Sequence, residues 1–256
     1  MRFMMKLSSV WFVLGLLFLN PTFTRAQGGV VQYAHTYKIL YGKDATSAVA
    51  EIFAQQNGEE ISSDPEREIV TRNLVFSSAK SLMYPAKVDS FEVGDRPNWE
   101  YVDTTFVDLN NGTYLQWIDF NADAYLVKDQ LPSIPWRLTT EMRTYLGYRV
   151  TKATASIDST FVEAWFSPDI PVPAGPGLYN SLPGLVLLVT NEAIGEVYAA
   201  EFVDLEARSS IVEPSTGREV SADEYERIKE SEMARSRQLY ERLMRERKSG
   251  KIKILN

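Results

Sequence analysis

The sequence contains no cysteine and a single histidine. The first absence excludes a disulfide framework, so stability has to come from a buried core. It also excludes a lipid anchor on an N-terminal cysteine. Together the two exclude a zinc site built from histidine and cysteine, because no second ligand of either kind exists. A Ser-His-Asp triad would have to use His35, and no nucleophile elbow accompanies it. Phosphate-binding loops, dinucleotide fingerprints and internal repeats are also missing. Basic residues number 27 against 34 acidic ones, a net charge of -7. Such an acidic chain is poorly matched to nucleic acid, whose phosphates are bound by Lys and Arg. Beyond the N-terminus no apolar run reaches the ~20 residues that a membrane span needs.

What is present begins with a short basic stretch, Met-Arg-Phe-Met-Met-Lys. An apolar run follows from Leu7 to Leu19, and Thr24-Arg25-Ala26 ends on small residues. This is the pattern of a secretory signal peptide over residues 1–26. Its removal takes away Arg2, Lys6 and Arg25 and no acid, so the charge falls from -7 to -10. The expectation is an exported protein, periplasmic or extracellular and not a lipoprotein, with no transmembrane segment after cleavage.

Alternation of apolar and polar residues predicts strands. Val31, Tyr33, His35, Tyr37 and Ile39 share one face of the first. Ala45, Ala48, Val49, Ile52 and Phe53 fall on one helical face, predicting a short helix near 45–56. A hairpin is expected around Ser77-Ser78-Ala79 and another around Asn110-Asn111-Gly112, where Asn-Gly tolerates φ > 0. Trp136-Arg137-Leu138 reads as a short strand and Thr139 to Tyr145 as a turn or single helical turn. Strands 147–157 and 160–166 pair across Asp158-Ser159, and strands 185–190 and 194–205 follow. The spacing is that of an antiparallel meander. The expected architecture is mainly β: a curved antiparallel sheet or open barrel, occupying 27–210, with helix 45–56 against its concave face. Ser221-Ala-Asp-Glu224 is a capping box opening a long C-terminal helix over 221–248. Its basic end (Arg242, Arg245, Arg247, Lys248) suits the helix macrodipole and also an anionic membrane surface.

The stretch from Glu163 to Val189 stands apart. Pro168, Pro171, Pro173, Pro176 and Pro183 exclude a helix, since each lacks a donor and clashes with the preceding turn. A stiff, extended strap between two strands is predicted, covering an edge or one end of the sheet.

Five blocks in order carry a family resemblance: Leu74-Val75-Phe76 with Lys80–Tyr84; Tyr125–Asp129 with Trp136–Leu138; Gly147-Tyr148 with Lys152-Ala153; Ala164–Pro171 with Gly175-Pro176; and Ser181-Leu182-Pro183-Gly184-Leu185-Val186. Together they resemble the GLPGLI family of secreted proteins. The resemblance implies export and a mainly β domain, and it assigns no catalytic residue and no cofactor. Where members often carry a cysteine two residues after the Gly-Tyr pair, this chain has Val150.

Chemistry-bearing candidates are few. His35 lies on a strand face between Tyr33 and Tyr37 and reads as a packed histidine. Asp119 to Tyr125 imitates the start of a calcium loop, but Ala124 replaces the required glycine and Gln130 the closing glutamate. Asp119 or Asp123 with Glu163 is the carboxylate pair a glycoside hydrolase would use. Asn111-Gly112-Thr113 has the pattern of a glycosylation sequon, in which Asn and Gly also serve the turn. Trp165, Ile170, Val172, Leu178, Tyr179 and Leu182 are the candidate ligand- or partner-binding residues. The resulting expectation is an envelope protein whose β domain binds an apolar or polymeric ligand or a partner protein without catalysis. A structural subunit docking through the C-terminal helix and a carboxylate-dependent hydrolase are the alternatives.

Overall fold

The structure, a computed structural model, describes residues 28–38, 53, 67–86, 100–121, 123–157, 159–191 and 194–248. In chain order the strands are β1 (Gly28–Lys38), β2 (Arg67–Ser77), β3 (Lys80–Pro85), β4 (Glu100–Asp108), β5 (Thr113–Phe120) and β6 (Asp123–Gln130). They continue with β7 (Arg137–Tyr145), β8 (Tyr148–Ile157), β9 (Thr160–Ser167), β10 (Leu185–Asn191), β11 (Glu196–Asp204) and β12 (Arg218–Val220). The helix α1 (Ala222–Lys248) ends the described chain. All strands belong to one 12-stranded sheet ordered β12-β6-β5-β4-β3-β2-β1-β11-β10-β9-β8-β7. Every pairing is antiparallel except β12 on β6, which is parallel. That strand was not anticipated: three residues are too short to show a period.

The connectivity dictates the curvature. β6 and β7 are consecutive in the chain, yet ten strand spacings separate them in the sheet. A flat sheet would put them ~48 Å apart, at ~4.8 Å per strand. The link 131–136 can span no more than ~25 Å fully extended. The sheet therefore has to curl. A second contact says the same. The Tyr145 hydroxyl on β7 donates to the Ala200 carbonyl on β11, 2.6 Å away and four strands along the sheet. The sheet remains open, with β7 and β12 as its edges. Tyr145 is 2% exposed, and burial raises its phenol pKa. Tyr145→Phe leaves the Ala200 carbonyl without that donor and is expected to cost about 1–3 kcal/mol, measurable by urea unfolding.

Local chemistry explains the turns. In the β4–β5 loop only Gly112 takes a positive φ, 63°. Asn111 does not. Instead the Asp108 carboxylate accepts from the Asn110 and Asn111 amides at 3.1 and 3.0 Å and from the Asn111 side chain at 3.0 Å. These donors, the Asn111 amide foremost, hold the Asp108 carboxyl below its usual range. Ser159 (φ 67) turns β8 into β9. The expected turn over Thr139 to Tyr145 is replaced by strand: β7 runs unbroken to Tyr145, with an irregularity between Leu138 and Met142. That irregularity spoils the alternation on which a sequence reading depends.

At α1 the capping serine performs as expected, its Oγ accepting from the Glu224 amide at 3.2 Å. The Glu224 carboxylate turns away to Arg218 at 2.8 Å, and Asp129 on β6 caps the Ala222 amide at 3.1 Å. Of the helix expected near 45–56, only Phe53 lies among the described residues. It is helical and buried, edge-on to Tyr145 and Trp165.

Three apolar clusters form the interior. The largest joins β1–β3 and β7–β11 with Ile170, Val172, Ala174 and Leu182 of the strap. A second unites β4–β6, Val220 and Tyr225 of α1. A third, around Phe106, Leu115 and Leu126, takes in Ile211.

Candidate functional site

The strap, residues 168–184, folds back on itself between β9 and β10. Its donors are satisfied locally: the Leu185 amide donates to the Ile170 carbonyl at 2.9 Å, Val186 to Ala174 at 3.0 Å, and Ser181 to Pro173 at 3.1 Å. The prolines fall where no donor is needed, and Gly177 and Ser181 take the positive φ values that reverse the chain.

The strap lies across the sheet face rather than along an edge or end, which corrects the sequence expectation. Its Gly177 amide reaches the Met83 sulfur on β3 at 3.0 Å. Trp136 of the β6–β7 link donates to its Asn180 carbonyl at 2.9 Å, and beside the strap Tyr33 of β1 donates to the Val186 carbonyl of β10. The sheet is wound around its own strap, and periodicity could not show this, because the strap has none.

This placement decides the predicted residues. Ile170 and Leu182 are 1% exposed, Val172 2% and Trp165 1%. All four share the main core cluster with Leu185. Leu178 and Tyr179 are half-buried, Leu178 packing toward the α1 cluster and Tyr179 toward the main one. A recognition surface needs these side chains exposed together, and the conformation seen buries four of the six. Burial of apolar area favours that arrangement, at ~25 cal/mol per Å².

Beneath the strap lies a polar cluster that the sequence did not reveal. His35 is fully buried. The Arg72 Nε–H donates to its Nδ1 at 3.1 Å. Arginine has no acceptor, so the imidazole proton sits on Nε2 and is donated to the Glu196 carboxylate at 3.0 Å. The other Glu196 oxygen accepts from the Tyr179 hydroxyl of the strap at 3.0 Å. The Tyr179 oxygen in turn accepts from the Asn191 side-chain amide at 3.2 Å. The His35 ring stacks on Tyr198 at 3.8 Å. Burial is the main influence on His35 and lowers its pKa, with Arg72 acting the same way. The Glu196 carboxylate opposes them. His35 is thus the packed histidine expected, its partners come from β2 and β11, and Tyr179 of the strap joins the cluster through Glu196.

A second charged group flanks Trp165. The Trp165 indole N–H donates to Glu163 at 2.8 Å, and Lys152 pairs with Glu163 at 2.6 Å and Glu141 at 3.5 Å. Burial alone would lower the Lys152 pKa, but the two carboxylates outweigh it and the pKa is raised. Arg143 lies over the Phe53 ring, 4.7 Å from its centroid. The carboxylates singled out for sugar hydrolysis do not meet: Glu163 is held here, whereas Asp123 lines a different feature. That feature is an open groove of about 600 Å³ between β6 and α1, lined by Asp123, Tyr125, Arg218, Glu224, Arg227, Ile228, Ser231 and Glu232. Among the described residues no cluster of His, Asp and Glu has metal-binding geometry.

The sequence matches the family described as N-glycanase peptide, N-terminal domain, over residues 46–225. No curated protein matches it. Two solved structures of PNGF-II, in space groups P21 and C2, share the fold with a TM-score of 0.53 in each case. Identity is 18% and 19%, over 80% of this chain and 34% and 33% of theirs. The chain thus spans about a third of PNGF-II, and likeness at this identity concerns the fold alone. The GLPGLI resemblance is overturned by this match. The blocks that carried it are short, and local geometry accounts for the residues of the last one. Gly184 sits where a Cβ would stand 2.1 Å from the Ser167 carbonyl, and Leu182 fills the core. Such residues report a strap packed against strands, not one particular ancestry. The chain belongs to the N-glycanase peptide N-terminal domain family.

Proposed function

We propose that this chain is an exported, non-catalytic β domain that works by association with a partner. One observation carries the reading: the buried carboxylates Asp108, Glu163 and Glu196 are already engaged by internal donors. Glu196 serves His35 and Tyr179, and Glu163 serves Trp165 and Lys152. A general acid or base needs a free oxygen within reach of substrate. The family match supports the same reading, since it concerns an N-terminal domain that is a third of a longer protein. The signal-like N-terminus supports export.

A hydrolase reading rests on the β6–α1 groove, where Asp123, Glu224 and Glu232 come together with Arg218 and Arg227. One experiment separates the two. The chain from Gln27 onward is incubated with an N-glycosylated glycoprotein, and released glycan is followed by mass spectrometry. Release at the level of a protein-free control is expected. Release above it that disappears in Asp123→Asn or Glu232→Gln would establish the groove as catalytic and end the association reading.

A further inference from the structure

We propose that the free length of α1 docks on an anionic lipid surface. Only the first turns of α1 belong to the body. Tyr225 is buried there and Ile228 packs beside it. Farther along, the Asn121 side chain donates to Glu232 at 3.4 Å, and beyond it the large apolar side chains Leu239, Tyr240 and Leu243 are exposed. From Met233 to Lys248 the helix extends another ~24 Å, at ~1.5 Å per residue.

The apolar face does not stop where the contacts do. At ~100° per residue, Met233, Ser236, Leu239, Tyr240, Leu243 and Met244 fall within an arc of about 140°. That arc continues the face through which Tyr225 and Ile228 meet the sheet. Met233, Leu239, Tyr240 and Leu243 are 47%, 55%, 60% and 46% exposed. The opposite side carries Arg235, Arg242 and Arg245, Arg237 flanks the apolar arc, and by the same spacing Arg247 falls on the arc near the end of the helix.

Charge selects the occupant. Residues 233–248 hold six basic and two acidic side chains, a net charge of +4, on a chain whose overall charge is -7. Two such helices packed together would set +4 against +4, which disfavours a second copy. A layer of anionic headgroups attracts the helix, repels the acidic body and so orients the molecule, with the apolar arc entering the acyl boundary. In the sequence, Lys251-Ile252-Lys253-Ile254-Leu255 continues the same mixture of basic and apolar residues.

The test is co-sedimentation of the chain from Gln27 onward with two kinds of vesicle, phosphatidylglycerol mixed with phosphatidylcholine and phosphatidylcholine alone. Binding to the anionic vesicles only is expected, weakening as salt shortens the screening length. In Leu239→Glu/Leu243→Glu binding should fall about a hundredfold or more, since two apolar side chains leave the acyl boundary and two negative charges face the anionic headgroups. A chain ending at Ser231 should not bind, and unchanged urea unfolding of the double variant would show that the body is intact. Equal binding to both vesicles, no binding to either, or a dimer that dissociates in the double variant would each overturn the proposal. None of these outcomes bears on glycan release, so the two readings fail separately.

Discussion

Gly175→Ala is expected to be among the most destabilising single substitutions in this protein, at about 3 kcal/mol or more. A Cβ at this position would stand 1.9 Å from the Tyr179 carbonyl and 2.9 Å from the Val186 side chain. Overpacking a core usually costs about 1–3 kcal/mol because neighbouring side chains can adjust. Here the nearest atom is backbone. Tyr179 is held in the turn by its amide bond to the Pro176 carbonyl at 3.0 Å and by its hydroxyl on Glu196. Relief would mean lifting the strap, exposing Ile170, Val172 and Leu182 together. Gly184→Ala should behave alike, its Cβ meeting the Ser167 carbonyl at 2.1 Å. Gly112→Ala is the control: nothing lies within 4 Å, so only the left-handed backbone cost of about 1–2 kcal/mol applies. Urea unfolding of the three variants decides the matter. If Gly175→Ala and Gly112→Ala unfold at the same midpoint, the strap is not packed as described.

Glu196→Ala should lose about 3–5 kcal/mol, because it removes the one acceptor toward which a buried set of donors converges. His35 and Tyr179 both donate to this carboxylate, and Arg72 is fixed on His35 from the far side. Removing it takes the carboxylate acceptor from the fully buried His35 ring and from the half-buried Tyr179 hydroxyl. Glu196→Gln keeps one acceptor oxygen and should cost less.

The same cluster sets a pH dependence. The His35 pKa is lowered in the folded protein, chiefly by burial, so between that value and about 6.5 the unfolded chain binds the extra proton. Stability therefore falls as pH drops from about 6.5 toward the depressed value, and above about 6.5 it is constant in this term. Physically, a proton on Nδ1 opposes the Arg72 N–H that occupies the position. Unfolding midpoints across this range should slope in the wild type and flatten in His35→Gln. A slope that persists unchanged in His35→Gln would assign the dependence to other groups.

Much of the β character was legible from sequence, and the reason is local. Alternation marks the strands, and Ser159, Asn110-Asn111-Gly112 and Ser221 punctuate them through φ, side-chain acceptors and caps. The failures were local too. β7 was misread because an irregularity at Leu138–Met142 breaks the alternation, and β12 because it is only three residues long. The site was scarcely legible. Aromatic and apolar residues of the strap were candidates for recognition because composition makes a proline-rich segment look like a loop. Burial, which turned four of the six into core, is a property of what lies above them.

The sequence by itself determined the mainly β class, the strand boundaries near sharp turns, the stiff strap and the capped C-terminal helix. Each follows from residues within a few positions of one another. Only the tertiary structure decided the strand order, the curl imposed by a six-residue link between β6 and β7, ten strand spacings apart, and the face on which the strap lies. It alone brought Glu196 to His35, 161 positions away in the chain. Neither propensity nor spacing encodes a contact of that range. It arises because a sheet this long, curling around its own strap, has to satisfy the polar groups that it buries.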